Sequence, residues 1–212
     1  MVIPDRYFDD LQRATLEAAM ARIIPADDTA GAREAGTVDF LDAYLAGLDR
    51  IYAKPDGSGF ESLTGKRAEA WKRRIDRLRA VYTAGIADLD RRGRDAFGSA
   101  FVELEPDRQD EILEQLDPRH AAMTRDVRGE PPPLQQTNAE IDLDFFPLLC
   151  LHTRQGFYSD PIYGGNQGRV GWDTIGFPGP ASLAEVHTGR YSTLAWFADQ
   201  QPEHDPETDR DA

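Results

Sequence analysis

Apolar residues recur at intervals of three and four along this chain, and that spacing leaves little choice of fold. Val38, Leu41, Leu45, Leu48 and Tyr52 lie on one side of a helix, and so do Trp71, Ile75, Leu78, Tyr82, Ile86 and Leu89. Neither set could share one face of a strand, where side chains alternate with period two. No segment shows that alternation convincingly. The sequence therefore predicts an all-α fold, an irregular bundle of about five to seven helices followed by a long ordered C-terminal loop rich in glycine and aromatics.

The first helix is expected over 7–23, with Phe8, Leu11, Thr15 and Ala18 on its inner face and Pro25 as its stop. A turn follows over 25–31, where Asp27, Asp28 and Thr29 can bond locally. Gly36 or Thr37 caps the second helix, and 54–59 form a loop. The third helix, 64–92, is the longest. Its other face is basic, with Lys66, Arg67, Lys72, Arg73, Arg74, Arg77 and Arg79. That face is either simply solvated or a landing patch for an acidic surface, internal or on a partner. Phe97 and Phe101 suggest a short helical turn. Pro106 fits the first position of a helix carrying Ile112, Leu113 and Leu116. An irregular connection runs over 117–138. A further helical stretch opens at Asn138 and carries Ile141, Phe145, Leu148, Leu149 and His152. Within it Pro147 marks a kink or a second start, and Gly156 is the expected C-terminal cap. The expected organisation is one domain over 1–198, with an ordered loop at 157–180, and an acidic, disordered tail at 199–212.

Charge narrows the function. Lys and Arg number 24 against 38 Asp and Glu, a net charge of −14. Such a field repels nucleic-acid phosphates and anionic membrane surfaces. No apolar run is long enough to span a bilayer, so direct membrane insertion is not expected. The start, MVIPDRYFDDLQR, lacks the basic and apolar regions of a signal peptide. The chain as written is expected in the cytoplasm, or exported if a leader has been removed or a partner carries the address. Cys150 is the single cysteine. It reads as a small buried side chain or as one half of a disulfide to another subunit.

Catalytic constellations are hard to find. His120, His152, His187 and His204 lack ligand spacing. Glu140 and Asp144 can share a helix face, but no histidine follows three or four residues on. There is no Gly-x-Ser-x-Gly elbow, and Tyr163-Gly164-Gly165-Asn166 matches neither a dinucleotide nor a phosphate loop. Cys150 and His152, two apart, point to different sides of a helix. The reading is therefore no catalytic residue, no metal site and no cofactor in this chain.

The distinctive segment is Gly156 to Pro180. Glycines at 156, 164, 165, 168, 171, 176 and 179 interleave with Phe157, Tyr158, Tyr163, Trp172 and Phe177. Gly164, Gly165 and Asn166 tolerate left-handed backbone, while Pro178 and Pro180 stiffen the exit. Such a segment is built to hold one irregular shape. Its aromatics either pack on their own helices or fill pockets on a partner. Tyr163 is balanced between the two, and Trp172 and Phe177 lean towards a partner. The candidate docking residues are Tyr163, Gly164, Gly165, Asn166, Trp172, Phe177 and Pro178.

The run GFYSDPIYGGN at 156–166, followed by Gly171-Trp172 and Ile175-Gly176-Phe177-Pro178-Gly179, resembles a hallmark of the gluconate 2-dehydrogenase subunit 3 family. Ile23-Ile24-Pro25-Ala26-Asp27-Asp28 with Gly31-Ala32-Arg33-Glu34-Ala35-Gly36 resembles its other marker. Pro25, Asp27, Asp28, Gly31, Ala32 and Gly36 read as structural. The resemblance covers about residues 8–180, with both markers in order. It implies an accessory (gamma) subunit without a cofactor of its own. The implied partner is a large FAD-dependent dehydrogenase of the glucose–methanol–choline type, acting on a sugar, sugar acid or alcohol, with a c-type cytochrome often completing the complex. The small subunit is expected to stabilise or mature the flavoprotein or to help export it. Many family members carry a twin-arginine leader, and this sequence shows none. The competing readings are a stand-alone, metal-assisted helical enzyme and a small-molecule binding module with the aromatic segment as its lid.

Overall fold

A computed structural model describes residues 6–47, 54, 61–117, 139–180, 185–186, 188–189 and 191. Leu48, Tyr52, most of the 54–59 loop, the connection over 118–138, the tail, and His120, His187 and His204 lie outside them. The described residues form six α-helices and no strand. The helices are α1 (Asp10–Ile23), α2 (Thr37–Ala46), α3 (Gly65–Phe97), α4 (Pro106–Leu116), α5 (Phe145–Tyr158) and α6 (Val170–Thr174). Short 3-10 turns sit at Phe101–Glu103, Ala139–Asp142, Pro161–Tyr163 and Gln167–Arg169. The all-α reading holds.

The chain divides into two compact units. One comprises Met1–Ile51 and Ser62–Pro178, the other Tyr52–Glu61 and Gly179–Ala212. The first contains all six helices. In the second, the Tyr191 amide donates to the Glu185 carbonyl at 3.0 Å, closing a local turn.

Local chemistry moves several boundaries. Asp9 caps α1 by accepting from the Gln12 amide at 2.8 Å, and Gln12 accepts from the Asp9 amide at 3.1 Å. This reciprocal box starts the helix at Asp10 rather than at residue 7. Leu11 consequently falls outward and is 57% exposed, contrary to the expected inner face, while Phe8, Thr15 and Ala18 are buried. The third helix runs on to Phe97, because Gly98, at φ +80°, supplies the left-handed C-cap. Pro147 falls in the first turn of α5, where no intrahelical amide bond is lost, so there is no kink. Gly156 does not end that helix. It is an interior position, and a Cβ there would come within 3.1 Å of the Thr37 backbone and 3.2 Å of Phe40. Its role is to let α5 approach α2, and Ser159 is the cap instead.

The core lies among α1 to α5. Leu16 and Met20 from α1, Leu41 and Leu45 from α2, Leu78 and Leu89 from α3, Ile112 from α4 and Leu148 from α5 are fully buried. Asp42, 1% exposed, anchors the N-terminal approach by accepting from the amides of Tyr7 (2.6 Å) and Phe8 (3.0 Å) and from Arg13. Arg22 forms a two-pronged pair with Asp110, at 2.8 and 2.6 Å, joining α1 to α4. The basic face of α3 is partly turned inward. Arg79 donates to the Leu45 carbonyl and sits 4.7 Å from the Tyr7 ring centre, and Arg74 reaches Glu140. For these two the acidic or carbonyl surface is the chain's own.

Candidate functional site

One side chain clasps the two ends of the segment after α5. Asn166, fully buried and in left-handed backbone at φ +47°, uses both ends of its amide. Its Nδ2 donates to the Ser159 carbonyl at 2.9 Å, and its Oδ1 accepts from the Gly171 amide at 2.8 Å. The α5 terminus and the α6 start are thereby clasped together. Close approach makes the neighbouring glycines necessary. A Cβ at Gly165 would fall 2.2 Å from the Gly156 carbonyl oxygen, and one at Gly171 only 1.9 Å from that of Phe157. Trp172 is 5% exposed, and its indole N–H donates to the Tyr158 carbonyl at 2.9 Å. Phe177 packs edge-on against it at 5.3 Å.

The upstream glycine-containing run meets this segment directly. Gly36 adopts φ +64°, and a Cβ there would strike the Gln167 side chain at 2.3 Å. Gln167 in turn donates its amide to the Ala35 carbonyl at 3.0 Å and its Nε2 to Asp39 at 2.8 Å. The turn before it is held by Asp27, which accepts from the Thr29 amide and hydroxyl at 2.8 and 2.9 Å. Those bonds, the backbone one first, draw the Asp27 carboxyl below its usual range. Gly31 donates to Glu34 at 2.9 Å, and Ala32, fully buried, donates to the Ile24 carbonyl at 2.8 Å. Pro25 and Asp28 are exposed.

Between α2, α3 and α5 lies a buried polar chain. The Tyr82 hydroxyl donates to His152 Nδ1 at 2.7 Å, and His152 Nε2 donates to Glu140 Oε1 at 2.9 Å. Tyr44 donates to the same oxygen at 2.9 Å, and Arg74 pairs with Glu140 Oε2. Burial, and then the Arg74 charge, lower the His152 pKa to about 3, so the imidazole is neutral. Burial pushes the Tyr82 phenol well above its ordinary value, consistent with its part as donor. The Glu140 carboxylate can only accept, so the neutral His152 is assigned its proton on Nε2 and accepts the Tyr82 hydroxyl at Nδ1. Such a hydrogen-bonded chain rigidifies the contact of three helices. Glu140, Arg74 and Tyr44 also border an open pocket of about 570 Å³, which extends along α5 to Arg154, Tyr158 and Ser159.

The sequence profile of gluconate 2-dehydrogenase subunit 3 matches residues 10–179. The chain belongs to the gluconate 2-dehydrogenase subunit 3 family. The match begins with α1 and ends one residue short of the close of the aromatic segment, so it takes in both runs that meet through Gln167. No curated protein and no solved structure matches the chain.

Within this subunit 3 domain, the predicted docking residues divide by position. Gly165, Asn166 and Trp172 lie inward, and their contacts are with their own chain. Tyr163, Gly164 and Phe177 are half-buried, and Pro178 is exposed. The apolar groups that do face outward here are Tyr158 (42% exposed), Ile162 (37%) and Ile175 (56%). Cys150 is half-buried on α5. Among the described residues, no group of three or more His, Cys, Asp or Glu side chains could hold a metal ion, and no helix is long and apolar enough to cross a membrane.

The polar chain through Tyr44, Arg74, Tyr82, Glu140 and His152 was missed in the sequence. Its directly bonded members are separated by up to 96 positions, as Tyr44 is from Glu140. The available signals were the lone arginine-rich face of α3 and a histidine on the apolar side of α5. Neither signal says which acid it will meet.

Proposed function

We propose that this chain is the small, non-catalytic accessory subunit of a dehydrogenase complex, and that it stabilises or matures an FAD-dependent partner. The partner belongs on this reading to the glucose–methanol–choline type and oxidises a sugar, a sugar acid or an alcohol. A c-type cytochrome is a fitting electron acceptor in such an assembly. The family match over residues 10–179 is the observation that carries the reading. The local build of the aromatic segment agrees with it. Asn166 and Trp172 lock a rigid shape from inside, while Ile162 and Ile175 stay exposed on it. Rigid presentation of apolar anchors lowers the ordering cost of binding a partner.

The test is co-expression with a large flavoprotein dehydrogenase of the glucose–methanol–choline type from the same genome. The expected result is a yellow complex that survives gel filtration, and a flavoprotein that loses FAD or aggregates when this subunit is left out. A flavoprotein equally stable, active and correctly located without it overturns the proposal.

A further inference from the structure

The pocket beside Glu140 has the size of a small-molecule site, which typically spans about 300–1,000 Å³. Its walls are aromatic. Phe40 and Tyr44, one turn apart on α2, hold their rings nearly parallel at 7°, and Tyr158 and Tyr163 contribute two more. Such rings offer faces for a flat apolar body to lie against.

The polar groups of the pocket are mismatched in one direction. Its one acid, Glu140, is already spent, because Tyr44 and His152 donate to Oε1 and Arg74 pairs with Oε2. The donors are not all spent. Arg74 meets Glu140 through Nη2, and its side chain is a third exposed. Arg154 bonds through Nε to the Cys150 carbonyl of its own helix, at 3.2 Å, and has no ion pair among the described residues. Two guanidinium groups against one neutralised carboxylate leave a local positive excess in a chain of net charge −14. A guanidinium fork is matched in shape and charge by a carboxylate.

We propose that this pocket binds an organic carboxylate with a flat, apolar body, its acid group engaging Arg154 and Arg74 and its body lying along Phe40, Tyr44 and Tyr158. The site adjoins the clasp around Asn166 through Tyr158 and Ser159, and it does not depend on the accessory-subunit reading. The carboxylate comes either from a free small acid or from an acidic side chain or chain end of a partner.

Titration of the full-length chain with benzoate, followed by amide chemical shifts, tests this, with benzamide and inorganic phosphate as comparison probes. Benzoate is expected to saturate and to bind at least about tenfold more tightly than either. Arg154→Gln is expected to weaken benzoate by about tenfold with circular dichroism and melting temperature unchanged, since Arg154 is exposed and bonds only within α5. Arg74→Gln is the less suitable variant, because it also strands Glu140. Repeating the titration on the assembled dehydrogenase complex separates the sources. Loss of benzoate binding there assigns the pocket to a partner carboxylate, and its retention assigns it to a free acid. Equal binding of benzoate and benzamide, absence of saturation, or an unchanged affinity in Arg154→Gln overturns the proposal.

Discussion

At the scale of single residues, His152 makes stability depend on pH in a defined window. Its folded pKa is lowered to about 3 from an ordinary 6.5. Between those values the unfolded chain takes up a proton that the folded chain refuses. The contribution of this group is therefore complete above pH 6.5 and falls as the pH drops towards 3, by up to about 1.4 kcal/mol per pH unit. His152→Gln keeps an amide donor towards Glu140 and removes the titration. Urea denaturation at pH 7 and pH 5 is expected to show a smaller loss in the variant than in the wild type, by about 2 kcal/mol. An equal loss in both would remove His152 from the acid response. Trp172 makes a second residue-level case. Its side chain is 5% exposed and bonds to its own backbone, so Trp172→Ala is expected to destabilise the fold by about 3 kcal/mol, read from the same urea transitions.

Among the elements, the decisive contact is between α5 and the segment that follows it. Gly171, the second residue of α6, has its amide held by Asn166, and the Phe157 carbonyl lies where its Cβ would be. Neither group is the flexible end of a side chain. Gly171→Ala is therefore expected to cost about 2 kcal/mol or more and to broaden the amide signals of residues 159–177, seen by NMR or hydrogen exchange. Much at this scale was legible in the sequence. The 3-and-4 spacing of Ile75, Leu78, Tyr82, Ile86 and Leu89 was enough for α3, and Pro106 for the start of α4. Helix ends were less legible. Gly156 carries the sequence signature of a cap, yet it serves as a thin spot against Thr37 and Phe40. A glycine that ends a helix and a glycine that admits a neighbouring helix look alike until the neighbour is placed.

For the molecule as a whole, docking and folding are expected to separate by position. Ile175 is 56% exposed and stands at the end of α6, three residues from buried Trp172. Ile175→Asp is expected to weaken association with the dehydrogenase partner by about tenfold or more, measured by surface plasmon resonance, with little change in melting temperature. Trp172→Ala is expected to lower both. If Ile175→Asp binds as the wild type does, the outer face of this segment is not the contact.

The sequence by itself determined the all-α class, the helical stripes, the absence of a strand-like pattern, and the family, because each of these depends on local spacing or on contiguous motifs. The tertiary structure alone decided that Asn166 and Trp172 are internal fastenings, that Gly36 and Gln167 join the two family runs, and that Tyr82, His152, Glu140 and Arg74 form one buried chain. Those pairings span 5 to 131 positions, with Asn166 and Gly171 the nearest and Gly36 and Gln167 the farthest apart. Hydrogen bonding between side chains so distant in sequence leaves no periodic trace. It is fixed only when packing of the apolar faces brings the helices together and every polar group caught between them must find a partner.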